Sequence, residues 1–183
     1  MLFSSVTFLY YFLPILLIVY FVVPSKYKNL VLLIFSLLFY FLGEPKYIVI
    51  LLLSCVVNYN LGKLIDNGKR RRLYLILVVV YNVLQLLIFK YTNFFISNVN
   101  NMFNINIPFM YIVMPIGISF FTFQGLGYVI DIYNKKHKSA DSFINFMTYI
   151  CLFPQLVAGP IVRYFDIEKQ LINRKVDYDK FSG

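Results

Sequence analysis

The feature that most constrains this chain is a series of long apolar runs that carry no charge and are separated by short basic segments. Roughly 20 apolar residues cross a bilayer core of about 30 Å as a helix. Only 14% of the 183 residues are charged, whereas about a quarter is usual in a soluble domain. The sequence therefore predicts an all-α polytopic membrane helix bundle, with five to six transmembrane or re-entrant helices in a single domain, 1–183.

The uncharged runs give the approximate positions of these helices. The predicted spans are 6–23, 30–43, 47–62, 73–89, 110–130 and 143–162. Pro45 separates the second span from the third, because proline cannot continue the preceding helix. The last run contains Pro154, Gly159 and Pro160, so a full span and a re-entrant segment are both open there. The uncharged segment 91–108, with six asparagines, predicts a loop, with a short interfacial helix as an option.

Basic residues set the predicted orientation. Seventeen Lys and Arg against eight Asp and Glu give a formal charge of +9, and the basic clusters lie between the apolar runs. Cytoplasmic loops collect Lys and Arg, and five crossings with the N-terminus outside place every internal cluster on that side. The sequence predicts a multi-pass protein of the inner or plasma membrane. The basic excess indicates topology and contact with anionic lipid, not nucleic-acid binding.

Polar residues recur on one face of the fifth predicted span. At ~100° per residue, Gly117, Gln124, Tyr128 and Asp131 fall within about 60° of one another. Polar groups facing lipid are costly, so this face is expected to point into the bundle or a cavity. Helix–helix contact and a substrate-tunnel wall are both open for this stripe. For Arg163, bidentate binding of a donor phosphate or carboxylate and simple snorkelling to the membrane edge are both open.

The remaining reactive side chains are few. Cys55 and Cys151 lie in separate apolar runs without a Cys or His at ligand spacing, so neither a structural disulfide nor a metal site is predicted. His137 is flanked by lysines, which predicts a solvated loop residue and not a catalytic base. Lys135 follows Asp131 by one helical turn, which favours an ion pair. The basic run at 69–72 indicates orientation, with docking of an acidic carrier or anionic lipid as the alternative.

Three blocks of sequence occur in a recognisable order. They are Phe89-Lys90-Tyr91-Thr92-Asn93-Phe94; Pro115-Ile116-Gly117-Ile118-Ser119-Phe120-Phe121 running into Tyr128-Val129-Ile130-Asp131-Ile132-Tyr133; and Phe153-Pro154-Gln155-Leu156-Val157-Ala158-Gly159-Pro160-Ile161-Val162-Arg163. With the opening Met1-Leu2-Phe3-Ser4-Ser5 and the closing Asp179-Lys180-Phe181-Ser182, the chain resembles the membrane-bound O-acyltransferase family. The branch it resembles contains the bacterial alginate O-acetylation and teichoic-acid D-alanyl transfer proteins.

The resemblance implies a bundle of ten or more helices around a tunnel. It also implies a histidine, in a Trp-His-Ile-Ser-like motif of the second half, that acts on the acceptor hydroxyl. This sequence has no Trp, and His137 lies outside any such motif. The chain therefore resembles the N-terminal portion of a longer enzyme or a degenerate copy, with no catalytic residue of its own and the family histidine expected beyond Gly183. The tunnel candidates are Gln124, Tyr128, Asp131 and Arg163.

The resemblance also implies an activity. It is O-acyl transfer, with acetyl as the favoured group, to a hydroxyl of a cell-surface polysaccharide such as an alginate-like polymer or teichoic acid. The donor would be acetyl-CoA or an acyl-carrier thioester on the cytoplasmic side, with no bound cofactor. Expected partners are the lipid bilayer and, outside, other polysaccharide-acetylation proteins, but no nucleic acid. The alternative is a non-catalytic membrane protein, either a transporter subunit or an assembly partner, because polar stripes and a broken helix suit those equally well.

Overall fold

The computed structural model describes residues 5–160 and 162–172, apart from the side chains of residues 157 and 158. Within this part of the chain there are nine α-helices and no strand, which confirms the predicted all-α bundle. The helices are α1 (Leu13–Val22), α2 (Lys28–Gly43), α3 (Ile48–Asn67), α4 (Arg71–Leu86), α5 (Thr92–Phe103), α6 (Ile118–Tyr133), α7 (Phe143–Cys151), α8 (Phe153–Ala158) and α9 (Tyr164–Ile172). The resembling segments 1–4 and 179–182, and Ile161, lie outside the described residues.

Three helical stretches are long and apolar enough to cross a membrane. They are Ser25–Gly43, Ile48–Asn67 and Arg71–Phe103. A fourth apolar stretch, Phe8–Val22, is shorter and begins with a π-helical turn at Phe8–Phe12. A second π-helical turn at Leu87–Tyr91 joins α4 to α5. These lengths are those of a membrane protein, and the number of crossings, five to six, stays a prediction.

The bundle is built around α6. This helix packs against α3 and α4, and α7 packs against α2 and α3. Nine of the sixteen residues of α6 are buried, among them Phe121, Val129 and Ile132. A second, smaller core joins the turn that precedes α1, α2 and the start of α8 through Phe12, Phe39 and Phe153. Because α6 lies at the centre of the bundle, its polar face points into the interior.

The helix predicted over 110–130 begins only at Ile118, which corrects one boundary. Asn104 ends α5 in the left-handed conformation at φ 51°, and Pro108 and Pro115 prevent helical hydrogen bonding in the segment that follows. Gly117, at φ 76°, lies just before α6 and not on its stripe, so its place in the predicted polar face was wrong. A Cβ at Gly117 would lie 2.8 Å from the carbonyl oxygen of Leu156, so α6 approaches α8 closely there.

Residues 92–117 form an arm, made of α5 and the non-helical segment that returns along it. Asn93 and Asn100, seven residues apart on one face of α5, hold the returning segment. The amide of Asn93 donates to the carbonyl of Met110 at 2.8 Å and accepts from the N–H of Met110 at 3.0 Å. The amide of Asn100 pairs in the same way with Ile107, and both of those hydrogen bonds are 2.9 Å long. The segment 91–108, predicted as a loop with an optional short helix, thus contains a full helix followed by this paired return.

The last apolar run is broken, as its prolines and glycine indicated. α7 ends at Cys151 and α8 begins at Phe153, with Leu152 in a non-helical conformation at ψ 111°. Pro154 occupies the first turn of α8, where its missing N–H costs nothing. The N–H of Phe153 donates to the hydroxyl of Ser36 on α2 at 3.3 Å. The Ser36 hydroxyl of α2 therefore stabilises the break between α7 and α8 from inside the bundle.

Candidate functional site

Three of the four predicted tunnel residues share one buried face of α6. Gln124 and Tyr128 are each 1% exposed and Asp131 is 6% exposed. They lie three and four residues apart, on the side of α6 that faces the rest of the bundle. Arg163 is exposed and lies in the connection between α8 and α9, away from a buried face. The structure thus brings Gln124, Tyr128 and Asp131 to one face and leaves Arg163 apart, and their contact with a substrate stays a prediction.

Beside this face, α3 and α4 are joined by a pair of buried asparagines. The amide of Asn82 donates to Oδ1 of Asn58 at 3.0 Å, and the amide of Asn58 donates to the carbonyl of Ser54 at 2.8 Å and approaches Oδ1 of Asn82 at 3.4 Å. Gly125 of α6 lies against this pair, since a Cβ there would be 2.7 Å from Cγ of Asn58. Such amide contacts join helices in lipid. The sequence analysis did not predict this pair, because the positions of Asn58 and Asn82 along the sequence give no clear signal that the two side chains meet.

Several buried polar atoms near this level lack a partner. Oε1 of Gln124, Oγ1 of Thr122 and both amide atoms of Gln85 have no hydrogen bond within the described part of the chain. Thr122 and Gln124 lie on α6, and Gln85 lies on α4, which packs against α6. Buried polar groups are normally paired with protein or ordered water. Each of these atoms therefore marks a position where water, a substrate or further polypeptide would complete the hydrogen bonding.

Tyr128 has a defined structural contact. Its hydroxyl oxygen accepts a hydrogen bond from the N–H of Ala140 at 2.9 Å, and its ring packs against Phe146 with centroids 4.5 Å apart. Gly62 makes room for the ring, because a Cβ there would lie 2.7 Å from Cε1 of Tyr128. Tyr128 thus fixes the segment that leads into α7, and this role accounts for its burial.

Asp131 pairs with Lys136 at 3.6 Å and not with Lys135, which corrects the expected ion pair. The reason is the end of α6. Lys135 adopts the left-handed conformation at φ 58°, so its N–H bonds to the carbonyl of Ile132 and the N–H of Lys136 bonds to the carbonyl of Asp131. This is the hydrogen-bond pattern of a Schellman C-cap. Because the chain turns away after Tyr133, the i, i+4 geometry on which the expected pair depended is absent.

The end of the bundle formed by the last turns of α3 and α6 and the start of α4 is called the basic end below. Arg71 ties these helices together. Its Nε donates to the carbonyl of Ile65, and its Nη2 donates to the carbonyls of Ile132 and Tyr133, all at 2.9 Å. Cations stabilise the free carbonyls at helix C-termini. One arginine of the basic run at 69–72 therefore has a packing role besides its predicted role in orientation.

His137 lies exposed at the basic end, as the sequence predicted. Its ring stacks on Phe165 of α9, with centroids 3.9 Å apart and planes at 10°. On the same helix, burial and the nearby Asp141 raise the pKa of the Glu168 carboxyl, an effect that His137 opposes. An open depression of about 330 Å³ lies beside His137, between Asp66, Arg71 and Lys138. None of these contacts positions His137 as a base near the buried face of α6.

The two cysteines, distant in sequence, meet in the interior. Sγ of Cys55 on α3 and Sγ of Cys151 on α7 lie 3.8 Å apart, and both side chains are buried as free thiols. Neither has a histidine beside it in the described residues, so neither has the base that activates a catalytic cysteine. Within the described ranges, no group of three or more His, Cys, Asp and Glu side chains is close enough to hold a metal ion.

A cleft of about 200 Å³ lies between α2, α7, α8 and α9. Leu32, Thr148 and Gln155 are among its lining residues. Oε1 of Gln155 is buried without a hydrogen-bond partner in the described part of the chain. Gln155 belongs to the third block on which the family resemblance rests. The cleft is therefore a second place where a polar group is left open for a partner.

Comparison with known proteins gives relatives along the whole chain. It is 37% identical over 191 residues to the probable alginate O-acetylase AlgI of Pseudomonas aeruginosa and 35% identical to that of Azotobacter vinelandii, covering 100% of this chain in each case. It is 30% identical to the peptidoglycan O-acetyltransferase of Helicobacter pylori over 97% of this chain. The chain spans only 36%, 38% and 40% of the length of these relatives.

No family model matches the chain, and no solved structure gives a significant match. The three relatives nevertheless agree in activity, since two are named as probable alginate O-acetylases and one as a peptidoglycan O-acetyltransferase. They confirm the resemblance drawn from the three sequence blocks. The chain is similar along nearly its whole length to these O-acetylation proteins, and it corresponds to 36–40% of the length of each.

Proposed function

We propose that this chain forms part of a membrane O-acetyltransferase that transfers an acetyl group to a hydroxyl of a cell-surface polysaccharide. The observation that carries the proposal is the match over 97–100% of the chain to proteins named alginate O-acetylase and peptidoglycan O-acetyltransferase. The buried polar face of α6 agrees with it, because polar side chains inside a membrane bundle often line substrate paths.

The donor is proposed to be an acetyl thioester, either acetyl-CoA or an acyl carrier, that approaches from the cytoplasm at the basic end. Its acyl group would then cross the bundle along the face that holds Gln124. The acceptor polysaccharide and other acetylation proteins would meet the opposite end. This arrangement corresponds to an inner or plasma membrane protein with its N-terminus outside. The basic clusters between the apolar runs support that orientation, because cytoplasmic loops collect Lys and Arg.

The chemistry needs a base for the acceptor hydroxyl and donors for the developing oxyanion. The described residues offer no well-placed base. Asp131 is paired with Lys136, His137 is stacked on Phe165 at the surface, and the two buried thiols lack a histidine. We therefore assign to this chain the walls of the passage and not the proton acceptor.

The test compares this chain with a version extended through the downstream reading frame. Both are purified in the same detergent and supplied with labelled acetyl donor and acceptor polysaccharide. Transfer by the extended protein and none by the 183-residue chain is the expected result. His137→Ala should leave transfer by the extended protein unchanged.

Two outcomes would contradict the proposal. Turnover by the 183-residue chain that His137→Ala abolishes would make the loop histidine the base. A downstream frame without a histidine in a membrane segment, together with no transfer by any version, would favour a non-catalytic membrane protein.

A further inference from the structure

The arm, residues 92–117, differs from the rest of the molecule in having no charge. From Tyr91 to Ile130 the sequence contains no Asp, Glu, Lys, Arg or His. Within the arm, however, the side chains are largely exposed, including Phe103, Phe109 and Tyr111, the last at 97%. A long uncharged segment would suit the bilayer interior, yet the arm lacks the continuous helix that lipid requires.

The length of the helix that carries the arm also places it beyond the bilayer core. Arg71–Phe103 is a single helical stretch of 33 residues, which corresponds to about 50 Å at 1.5 Å per residue. The hydrocarbon core is about 30 Å thick. The surplus of roughly 20 Å is close to the length of α5. A crossing that begins at Arg71 would leave the arm in the interfacial or aqueous layer, at the end opposite the basic end.

An open pocket of about 410 Å³ lies on the arm between α5 and the returning segment. Its polar lining consists of Ser97 and four asparagines, and its apolar lining of Ile105 and Phe109. The asparagines are Asn100, Asn101, Asn104 and Asn106.

The amides divide into two groups. Asn100 is engaged in the two hydrogen bonds that hold Ile107. The side chains of Asn101, Asn104 and Asn106 are exposed and make no hydrogen bond to the described residues. The pocket is thus supported by one asparagine and presents three others to an incoming molecule.

A primary amide offers two N–H donors and a carbonyl acceptor. Neighbouring sugar hydroxyls and acetamido groups, which are both donors and acceptors, match this inventory. The ring of Phe109 adds an apolar surface on which the C–H face of a pyranose packs. A polyuronate would instead require Arg or Lys to bind its carboxylates, and the pocket has none. Lys46 lines a separate depression with Tyr111.

We propose that the pocket between α5 and the returning segment binds an uncharged stretch of polysaccharide, rich in hydroxyl and acetamido groups, through Asn101, Asn104, Asn106 and Phe109. The proposal deepens the proposed function and depends on it, because it assigns the arm to acceptor binding and narrows the acceptor to a neutral type. The asparagines select polymers by hydrogen-bond pattern, and the absence of charge disfavours acidic polymers.

The test measures sugar binding and not turnover. The full 183-residue chain in detergent micelles is titrated with a neutral oligomer of N-acetylglucosamine and, separately, with an oligomer of mannuronate. Saturation-transfer NMR detects weak complexes of this kind. Binding of the neutral oligomer in the millimolar range is expected, with at least tenfold weaker binding of the acidic one.

Variants separate the pocket from the rest of the arm. Asn101→Ala combined with Asn106→Ala, and separately Phe109→Ala, should each weaken binding at least fivefold. The matched control is Asn98→Ala, which removes an exposed asparagine of the same helix that does not line the pocket. It should bind like the original chain. Circular dichroism and elution volume check that each variant is folded.

Absence of binding by the folded chain would overturn the inference, as would equal loss in the Asn98 control or preferred binding of the acidic oligomer. A cysteine at 101 that is shielded from labelling by an envelope protein but not by either sugar would point to a protein-docking surface instead. Failure here is distinct from failure of the proposed function. Transfer by the extended protein that survives the Asn101 and Asn106 changes rejects only the pocket, whereas sugar binding without any transfer rejects only the enzyme.

Discussion

Asparagine is used in two opposite ways in this molecule. In the bundle, Asn58 and Asn82 are each 1% exposed or less, and their amides bond to each other and to backbone carbonyls of their own helices. On the arm, Asn93 and Asn100 hold the returning backbone, and the other pocket amides stay open to solvent. The buried pair is satisfied internally and serves packing. The arm keeps unused hydrogen-bonding capacity, which is the property expected of a binding surface.

The largest effect is expected from a test of the side of the membrane that the arm and the basic end each face. A cysteine at Asn101 on the arm should be labelled by a membrane-impermeant thiol reagent from outside, and one at Asn67, next to the basic end, should not. Both positions are exposed, and the native thiols at 55 and 151 are buried, so background labelling should be low. The expected outcome is all or none in intact cells. Labelling of both positions from the same face would remove the difference between the two ends.

Gly125 should be far less tolerant than Gly127, two residues along α6. A Cβ at Gly125 would lie 2.7 Å from the paired Asn58, whereas a Cβ at Gly127 meets nothing within 4 Å. Gly125→Ala should lower the free energy of unfolding by about 1–3 kcal/mol, the usual cost of overpacking. Gly127→Ala should leave it unchanged or raise it by up to ~1 kcal/mol, because alanine favours the helix. Unfolding titrations in mixed micelles measure both, and equal effects would mean that α6 does not pack on the asparagine pair.

Gln124→Leu tests whether the unpaired amide in the bundle serves packing or substrate. Its Oε1 has no partner within the described residues, so replacing it with an apolar side chain of similar size should change stability by less than about 1 kcal/mol. If the face lines the passage, acetyl transfer by the extended protein should still fall about tenfold, or ~1.4 kcal/mol in the barrier. Phe123→Leu, at an exposed position of the same helix, is the control and should leave transfer unchanged. A stability loss with no selective effect on transfer would identify Gln124 as helix contact only.

The sequence was sufficient for those parts of the fold that depend on local pattern. Charge-free runs predict the helices, and helical periodicity places Gln124, Tyr128 and Asp131 on one face, as observed. It failed where the backbone leaves the helix. Gly117 lies before α6 because left-handed φ and two prolines delay the helix, and Lys135 loses its expected pair because it occupies a left-handed C-cap. The Asn58–Asn82 pair, the Arg71 contacts and the proximity of the thiols join residues distant in sequence, and a single sequence carries no signal for such pairings.

The smallest effect is expected at the end of α6, which is also where local geometry overrode the predicted ion pair. Lys135 has φ 58° at the position of a Schellman C-cap where glycine is usual. A side chain in that conformation costs roughly 1 kcal/mol, so Lys135→Gly should raise the free energy of unfolding by up to ~1 kcal/mol. The Asp131–Lys136 pair is not touched by this change. Lys138→Gly removes the same charge from the same loop at a position without positive φ, and it should give no gain, or a small loss from added backbone freedom. Chemical unfolding of the two variants side by side separates charge from backbone strain, and an equal gain in both would assign the effect to reduced lysine repulsion at the basic end, not to the cap.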